Sequence, residues 1–134
     1  MPILYTLRQD NRAEGKHNFY GRVVHPNRVD TDQLAERIQR NCTVKKSDVV
    51  AVLTELVEVM RDELQNSNVV KLNGFGTFRV SMESQGVPDA KDFTVDNIKR
   101  LKVLFLPQGH LDAGSKKFTR TFLEGATVKK YSNE

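Results

Sequence analysis

Between Lys45 and Gln65 the apolar residues Val49, Val50, Leu53, Leu56, Val57, Met60 and Leu64 recur three and four positions apart. That period gathers them on one side of a helix as a wide stripe. Val52 and Val59 widen the stripe past what one neighbouring helix would cover, so this helix wants a second apolar surface. Upstream, Asp30 followed by Gln33 has the form of a capping box and opens a shorter helix ending near Asn41. Asn66-Ser67-Asn68 closes the long helix, and the pattern then changes period. Val69-Val70-Lys71-Leu72-Asn73 and Arg79-Val80-Ser81-Met82 alternate as strands do, and Gly74-Phe75-Gly76-Thr77-Phe78 lies between them. Asn73-Gly74 predicts a type I′ hairpin turn with positive φ at both central residues. The second glycine, Gly76, predicts a bulge or a close backbone approach at the start of the returning strand.

Alternation fades after Met82. Pro88, the nearby acids and the segment from Thr94 to Lys99 read as a loop with one helical turn. Leu101, Val103 and Phe105, with Lys102 and Leu104 between them, predict a strand that closes the sheet. At the other end, residues 3–8 and 18–24 are short and rich in strand formers, separated by a polar stretch, and predict an N-terminal hairpin. Beyond Leu111 two readings stay open for Ser115 to Lys130. One is a helix carrying Phe118, Phe122 and Leu123, the other a strand and tail, with Gly125 limiting both. Residues 132–134 are expected to be loose.

A chain of 134 residues is long enough for one hydrophobic core and too short for two. No run of about 18 apolar residues is present to span a membrane, and Met1-Pro2-Ile3-Leu4-Tyr5 lacks the order of a signal peptide. Cys42 is the single cysteine. Four residues after Ile38 on the apolar face, it is expected to be a small core residue. These features suggest a cytoplasmic protein. The net charge of +4 is unevenly spread: residues 1–29 carry +3, residues 30–98 carry −4, and residues 99–134 carry +5. An acidic middle between two basic flanks points to a polyanionic partner.

No enzymatic constellation emerges. His17, His25 and His110 are far apart in sequence, and no cysteine pair joins them at a metal. Gly74-Phe75-Gly76 begins like a nucleotide-binding loop, but Arg79 stands where the third glycine belongs, and the segment joins two strands. Asn41-Cys42-Thr43 matches a glycosylation sequon without a secretory signal and reads as chance. No catalytic residue, cofactor, metal or small-molecule substrate is expected. What remains is phosphate binding by lysine and arginine. Lys45 and Lys46 begin the long helix, where backbone N–H groups also face an anion. Lys71 and Arg79 flank the hairpin turn. Lys99, Arg100 and Lys102 lie where the chain returns to the body, and Lys116, Lys117 and Arg120 form the densest cluster.

The order helix–helix–hairpin with a GFGTF turn resembles the HU/IHF family of small histone-like DNA-bending proteins. The resemblance runs from about Thr31 to Leu111, without a gap as far as Arg79. Leu34, Ile38, Cys42, Val44, Leu53, Leu64, Val70 and Leu72 match apolar positions of that family. Phe105, Pro107 and Leu111 look like its F-x-P-G-x-x-L signature, where the third strand meets the last helix. Gln108 and Gly109 stand at the Gly and Lys positions of that signature. The arm signature, Arg-Asn-Pro followed by Thr-Gly, is absent, and Glu83-Ser84-Gln85-Gly86-Val87-Pro88-Asp89-Ala90-Lys91-Asp92 occupies its place. The sequence is most similar to a divergent HU-like branch found in Bacteroidetes, with an added N-terminal segment and a non-standard arm.

The resemblance implies an α+β fold: an HU/IHF-like intertwined dimer with two helices packed under a three-stranded antiparallel sheet, plus an N-terminal β-hairpin and a modified, shortened arm. The expected organisation is residues 1–29 as the hairpin extension, 30–114 as the HU-like domain and 115–134 as a basic C-terminal segment of one compact domain. The implied function is histone-like, largely sequence-nonspecific binding and bending of double-stranded DNA by a homodimer in the bacterial nucleoid. Residues 81–95 carry a net charge of −2, so Pro88 reads as a loop proline rather than a wedge between base pairs, and binding falls to the body. The alternative is an HU-fold protein-interaction or scaffold module that has lost arm-mediated DNA binding.

Overall fold

In the computed structural model, residues 1–12 and 14–132 are described. The first helix, α1 (Thr31–Asn41), starts as its sequence requires. The Asp30 carboxylate accepts the Gln33 N–H at 3.0 Å, and the Gln33 carboxamide oxygen accepts the Asp30 N–H at 3.0 Å. Two N–H groups that the helix itself leaves unpaired are thereby satisfied. Cys42 is exposed, contrary to the expectation of a core position. It is the C-cap, and its extended backbone (φ −134°, ψ 171°) takes it off the helical repeat that set the apolar face.

The long helix, α2 (Lys46–Gln65), ends with Ser67 at φ 65°. The Asn68 N–H donates to the Glu63 carbonyl and the Ser67 N–H to the Leu64 carbonyl, both at 3.1 Å. This is the Schellman closure, reached here without glycine.

Strands β3 (Val70–Leu72), β4 (Gly76–Ser84) and β5 (Ile98–Pro107) form an antiparallel sheet in that order. The turn between β3 and β4 differs from the type I′ expectation. The Phe75 N–H donates to the Leu72 carbonyl at 3.0 Å, and of the two central residues only Gly74 has positive φ, at 76°. Positive φ at the second central position alone is the signature of a type II turn. Gly76 makes the predicted close approach. A Cβ there would lie 2.5 Å from the Leu106 carbonyl oxygen and 2.5 Å from the Phe105 ring. That absent side chain lets Phe78 and Phe105, opposite each other in the register, stack at 4.7 Å. Phe75 and Phe122 complete the cluster, with Phe75 lying 5.5–5.9 Å from the other three rings.

Strand β4 continues two residues past Met82, and residues 85–97 connect it to β5 through two short 3₁₀ turns, Ala90–Asp92 and Val95–Asn97, rather than one helical turn. After β5 the helix implied by the resemblance does not form. Strands β6 (Gly109–Leu111) and β7 (Phe118–Arg120) make a hairpin instead. The Phe118 ring lies 2.5 Å from where a Cβ on Gly109 would stand, so the lysine of the family signature has no room in this geometry. A 3₁₀ turn (Thr121–Leu123) then carries Phe122 to the aromatic cluster. Strand β8 (Val128–Lys130) pairs parallel with β1 (Ile3–Gln9), and β1 pairs antiparallel with β2 (Phe19–Val23). Within 115–130, then, Phe118–Arg120 and Val128–Lys130 are strands joined through a 3₁₀ turn, in place of a helix. The expected loose end at 132–134 falls largely on Asn133 and Glu134, outside the described residues.

Among the described residues only Ala35 and Val49 are buried apolar side chains. The chain exposes 11,863 Å², against about 7,100 Å² for a compact monomer of this mass. One uncovered apolar surface lies between α2 and the sheet, where Val57 is 68% exposed, Leu101 65% and Val103 63%.

Two glycine substitutions separate strain from collision. Gly74→Ala places a Cβ in open space at positive φ and is expected to cost about 1 kcal/mol. Gly76→Ala drives a Cβ into backbone at 2.5 Å and is expected to cost about 3 kcal/mol or more. Equal losses in urea melts of the two variants would contradict the turn geometry.

Candidate nucleic-acid interface

Alternation along β4 and β5 divides their side chains between two faces. Phe78, Val80, Leu101 and Val103 share the face that meets α2, where they line grooves with Leu53, Leu56, Val57, Met60 and Leu64. Thr77, Arg79, Ser81 and Glu83 of β4, with Leu106, Leu104, Lys102 and Arg100 of β5, share the opposite face. Lys71 of β3, opposite Thr77, joins them.

The register sets these cations in a line. Arg79 is two residues beyond Thr77, the partner of Lys71, and Lys102 pairs with Ser81, two residues beyond Arg79. Each step is a diagonal cross-strand neighbour, about 7–8 Å. Lys71, Arg79 and Lys102 thus cross the sheet as a diagonal row of exposed cations, one per strand. Leu104 and Leu106 lie beside the row. At its far end the Arg100 guanidinium donates to the Glu83 carboxylate at 2.7 Å. Beyond that pair the register slips, Glu83 facing Arg100 and Ser84 facing Ile98, so Lys99 is the extra residue of a bulge. An exposed pair of this kind contributes at most about 1 kcal/mol, but it marks where the row ends.

The other cations expected from the sequence lie apart from this row. Lys45 is the N-cap of α2 with no side-chain cap bond, and the Lys46 N–H is taken by the Gln39 carboxamide of α1. They precede Leu53 along the axis by about 11–12 Å. Lys116 and Lys117 belong to the loop between β6 and β7, where Lys116 adopts φ 54° and Asp112 accepts from Gly114 N–H and the Ser115 hydroxyl. Arg120 is engaged within the protein. Its guanidinium donates to the Pro107 carbonyl at 2.8 Å and sits 4.6 Å over the Phe118 ring. Three further cations, Arg8, Arg22 and Lys129, were not singled out from the sequence. The available signal was cation alternating with aromatic in Tyr20-Gly21-Arg22, read there only as strand-forming residues.

One family model and two solved structures are similar to the chain. The HU-HIG family, described as an HU domain fused to a wHTH, Ig or glycine-rich motif, matches residues 1–121. A crystal structure of a candidate bacterial DNA binding protein from Bacteroides vulgatus ATCC 8482 superposes with a TM-score of 0.60 at 12% identity, over 96% of this chain and 47% of that one. This chain therefore spans just under half the length of that relative. An Anabaena HU–DNA cocrystal structure aligns over 58% of this chain and 85% of that one, at 20% identity and a TM-score of 0.42. No curated protein matches.

The separate placements of the C-terminal cations predict separate effects. Arg120→Ala removes a charged hydrogen bond and a cation–π contact and is expected to lower stability by about 1–2 kcal/mol. Lys116→Ala with Lys117→Ala is expected to stay within about 0.5 kcal/mol of the parent. Chemical denaturation of both variants checks the difference.

Proposed function

Because the chain belongs to the HU-HIG family, we propose that it binds and bends double-stranded DNA as a homodimer, largely without regard to sequence. The observation that carries this reading is the diagonal row Lys71–Arg79–Lys102 on the sheet face turned away from α2. Three exposed cations at phosphate-contacting reach hold a backbone and read no bases, and each neutralised phosphate releases a counterion. Lys45, Lys46, Lys99, Lys116 and Lys117 extend the positive field. Arg100 and Arg120, held by Glu83 and the Pro107 carbonyl, contribute charge from fixed positions. The description of the Bacteroides relative as a candidate DNA binding protein agrees with this assignment. On this reading the protein acts in the bacterial cytoplasm, at the nucleoid.

Dimerisation follows from the uncovered apolar surface. Val57, Leu101 and Val103 are each more than 60% exposed in the single chain, and burying side chains of this kind is worth about 1.5–3 kcal/mol apiece. A two-fold copy laid on this surface makes an intertwined dimer with residues 30–114 at its centre and doubles the cationic row. The connection at 85–97 is a shortened arm carrying Asp89, Asp92 and Asp96 against Lys91 alone, and Pro88 lies in it without a flanking arginine. Phosphates repel such a segment, so the bend comes from wrapping DNA over the body rather than from a wedge. The acidic charge of residues 30–98 and the missing arm signature favour the scaffold reading.

Sedimentation is expected to give a dimer at micromolar concentration, and Leu101→Asp with Val103→Asp is expected to dissociate or unfold it. A folded parent monomer would remove the basis of the dimer. For DNA, anisotropy with a labelled duplex across salt concentrations is expected to show binding that the Lys71→Ala, Arg79→Ala, Lys102→Ala triple variant weakens. The salt slope should flatten by about 0.9 for every phosphate that is no longer neutralised. Pro88→Ala should leave the bend, followed by energy transfer between duplex ends, unchanged. No binding of the parent at low salt would leave the scaffold reading in place.

A further inference from the structure

Strands β2, β1 and β8 form a second sheet, in that order, and it joins the two basic flanks of the sequence. Its register again separates two faces. Ile3, Tyr5 and Leu7 of β1 share one face with Phe19 and Val23 of β2 and Val128 of β8. Gln9 and Lys130 lie at the margins of this otherwise apolar face, and Tyr5 leans across Gly21, whose missing Cβ would sit 3.9 Å from the ring.

The opposite face is of another kind. Arg8 pairs with Tyr20, Thr6 with Arg22, and Leu4 with Lys129. The Tyr131 N–H donates to the Tyr5 carbonyl at 2.8 Å, which extends the parallel register by one residue and sets Tyr131 beside Thr6. One face therefore carries two tyrosines, 54% and 37% exposed, among Arg8, Arg22 and Lys129. Two strand spacings and one row separate the rings, roughly 12 Å, so each can take its own base. Arg12 adds nothing to this charge, because the Asp10 carboxylate holds it at 2.9 Å and is itself drawn below the ordinary carboxylate range by those hydrogen bonds.

We propose that this face binds single-stranded DNA, stacking bases on Tyr20 and Tyr131 while Arg8, Arg22 and Lys129 hold the phosphates. Charge complementarity selects a polyanion, and the aromatic rings select unpaired bases, because a duplex offers its sides to a flat sheet and keeps its base faces stacked. The site uses none of the cations of the diagonal row. It rests on the duplex-DNA reading only for the choice of DNA over RNA. A protein with both sites would hold a duplex and a neighbouring unpaired strand together.

The chain has three tyrosines and no tryptophan, so intrinsic fluorescence reports the site directly. Titration of the full chain with oligo(dT) is expected to quench tyrosine emission, and Tyr5→Phe, on the other face, should leave the quenching in place. Anisotropy with labelled oligo(dT) should show Tyr20→Ala and Tyr131→Ala each weakening binding about tenfold. The Phe variants should restore it, which a folding defect would not permit. Arg8→Ala with Arg22→Ala should flatten the salt slope by about 1.4. Duplex binding should be unaffected by the tyrosine changes, and the Lys71, Arg79, Lys102 variant should keep its affinity for oligo(dT), so the two sites fail separately. Unchanged oligo(dT) affinity in the alanine variants, absent quenching, equal loss of duplex binding, or tighter binding of oligo(U) than of oligo(dT) would each overturn the proposal.

Discussion

A strand that alternates apolar and polar residues must bury one face, and burying it turns the other outward. Both three-stranded sheets of this protein are built under that constraint. In the central sheet, α2 lies against Phe78 and Val80, so Arg79 and Lys102 point away. In the terminal sheet, Ile3, Leu7 and Phe19 demand cover, so Arg8, Tyr20 and Arg22 face away from whatever supplies it. Neither cationic face needs a loop to present it. Each is positioned by backbone pairing, which fixes the spacing of its charges along with its direction.

The same constraint exposes a shortage. Ala35 and Val49 are the buried apolar side chains among the described residues. A domain of this size holds a net stability of about 5–15 kcal/mol, and each half-bare aliphatic side chain withholds about 1.5–3 kcal/mol that its burial would add. On the proposed reading, self-association supplies the missing cover for the central sheet that carries the cationic row.

Local signals carried most of the fold. The capping box at Asp30, the stripe on α2, the glycine collision at Gly76 and the N-terminal hairpin are all properties of a few neighbouring residues, and each was legible in the sequence. Errors came where the deciding contact was distant. Cys42 has the spacing of a core residue, but the helix had already ended. The Asn73-Gly74 pair suits a type I′ turn, yet three residues rather than two link β3 to β4, and Asn73 keeps negative φ. Residues after Leu111 carry too little periodicity to choose between helix and strand. Phe118 over Gly109 and Phe122 on Phe75 decide the matter through tertiary contact. The parallel pairing of β8 with β1 joins opposite ends of the chain, and no local pattern announces it.

That last pairing changes what the charge distribution means. Along the sequence, the basic flanks read as two separate patches around an acidic middle. In the fold, part of each flank enters one sheet, Arg100 and Lys102 enter the central one, and Lys116, Lys117 and Arg120 belong to the β6–β7 hairpin. Of the acids of the middle, Glu83 alone stands on the cationic face of β4 and β5, at its end, and Asp89, Asp92 and Asp96 lie in the connection beyond the bulge at Lys99. The Arg100–Glu83 pair sits where the sign changes. A phosphate brought beside Arg100 competes with Glu83 for the guanidinium and meets the acidic connection just beyond. On the proposed reading, a polyanion lies along the row from Lys71 to Lys102 and ends at this pair. Within this fold the acidic segment acts as a boundary for the site, and its charge is compatible with the basic character of the faces it adjoins.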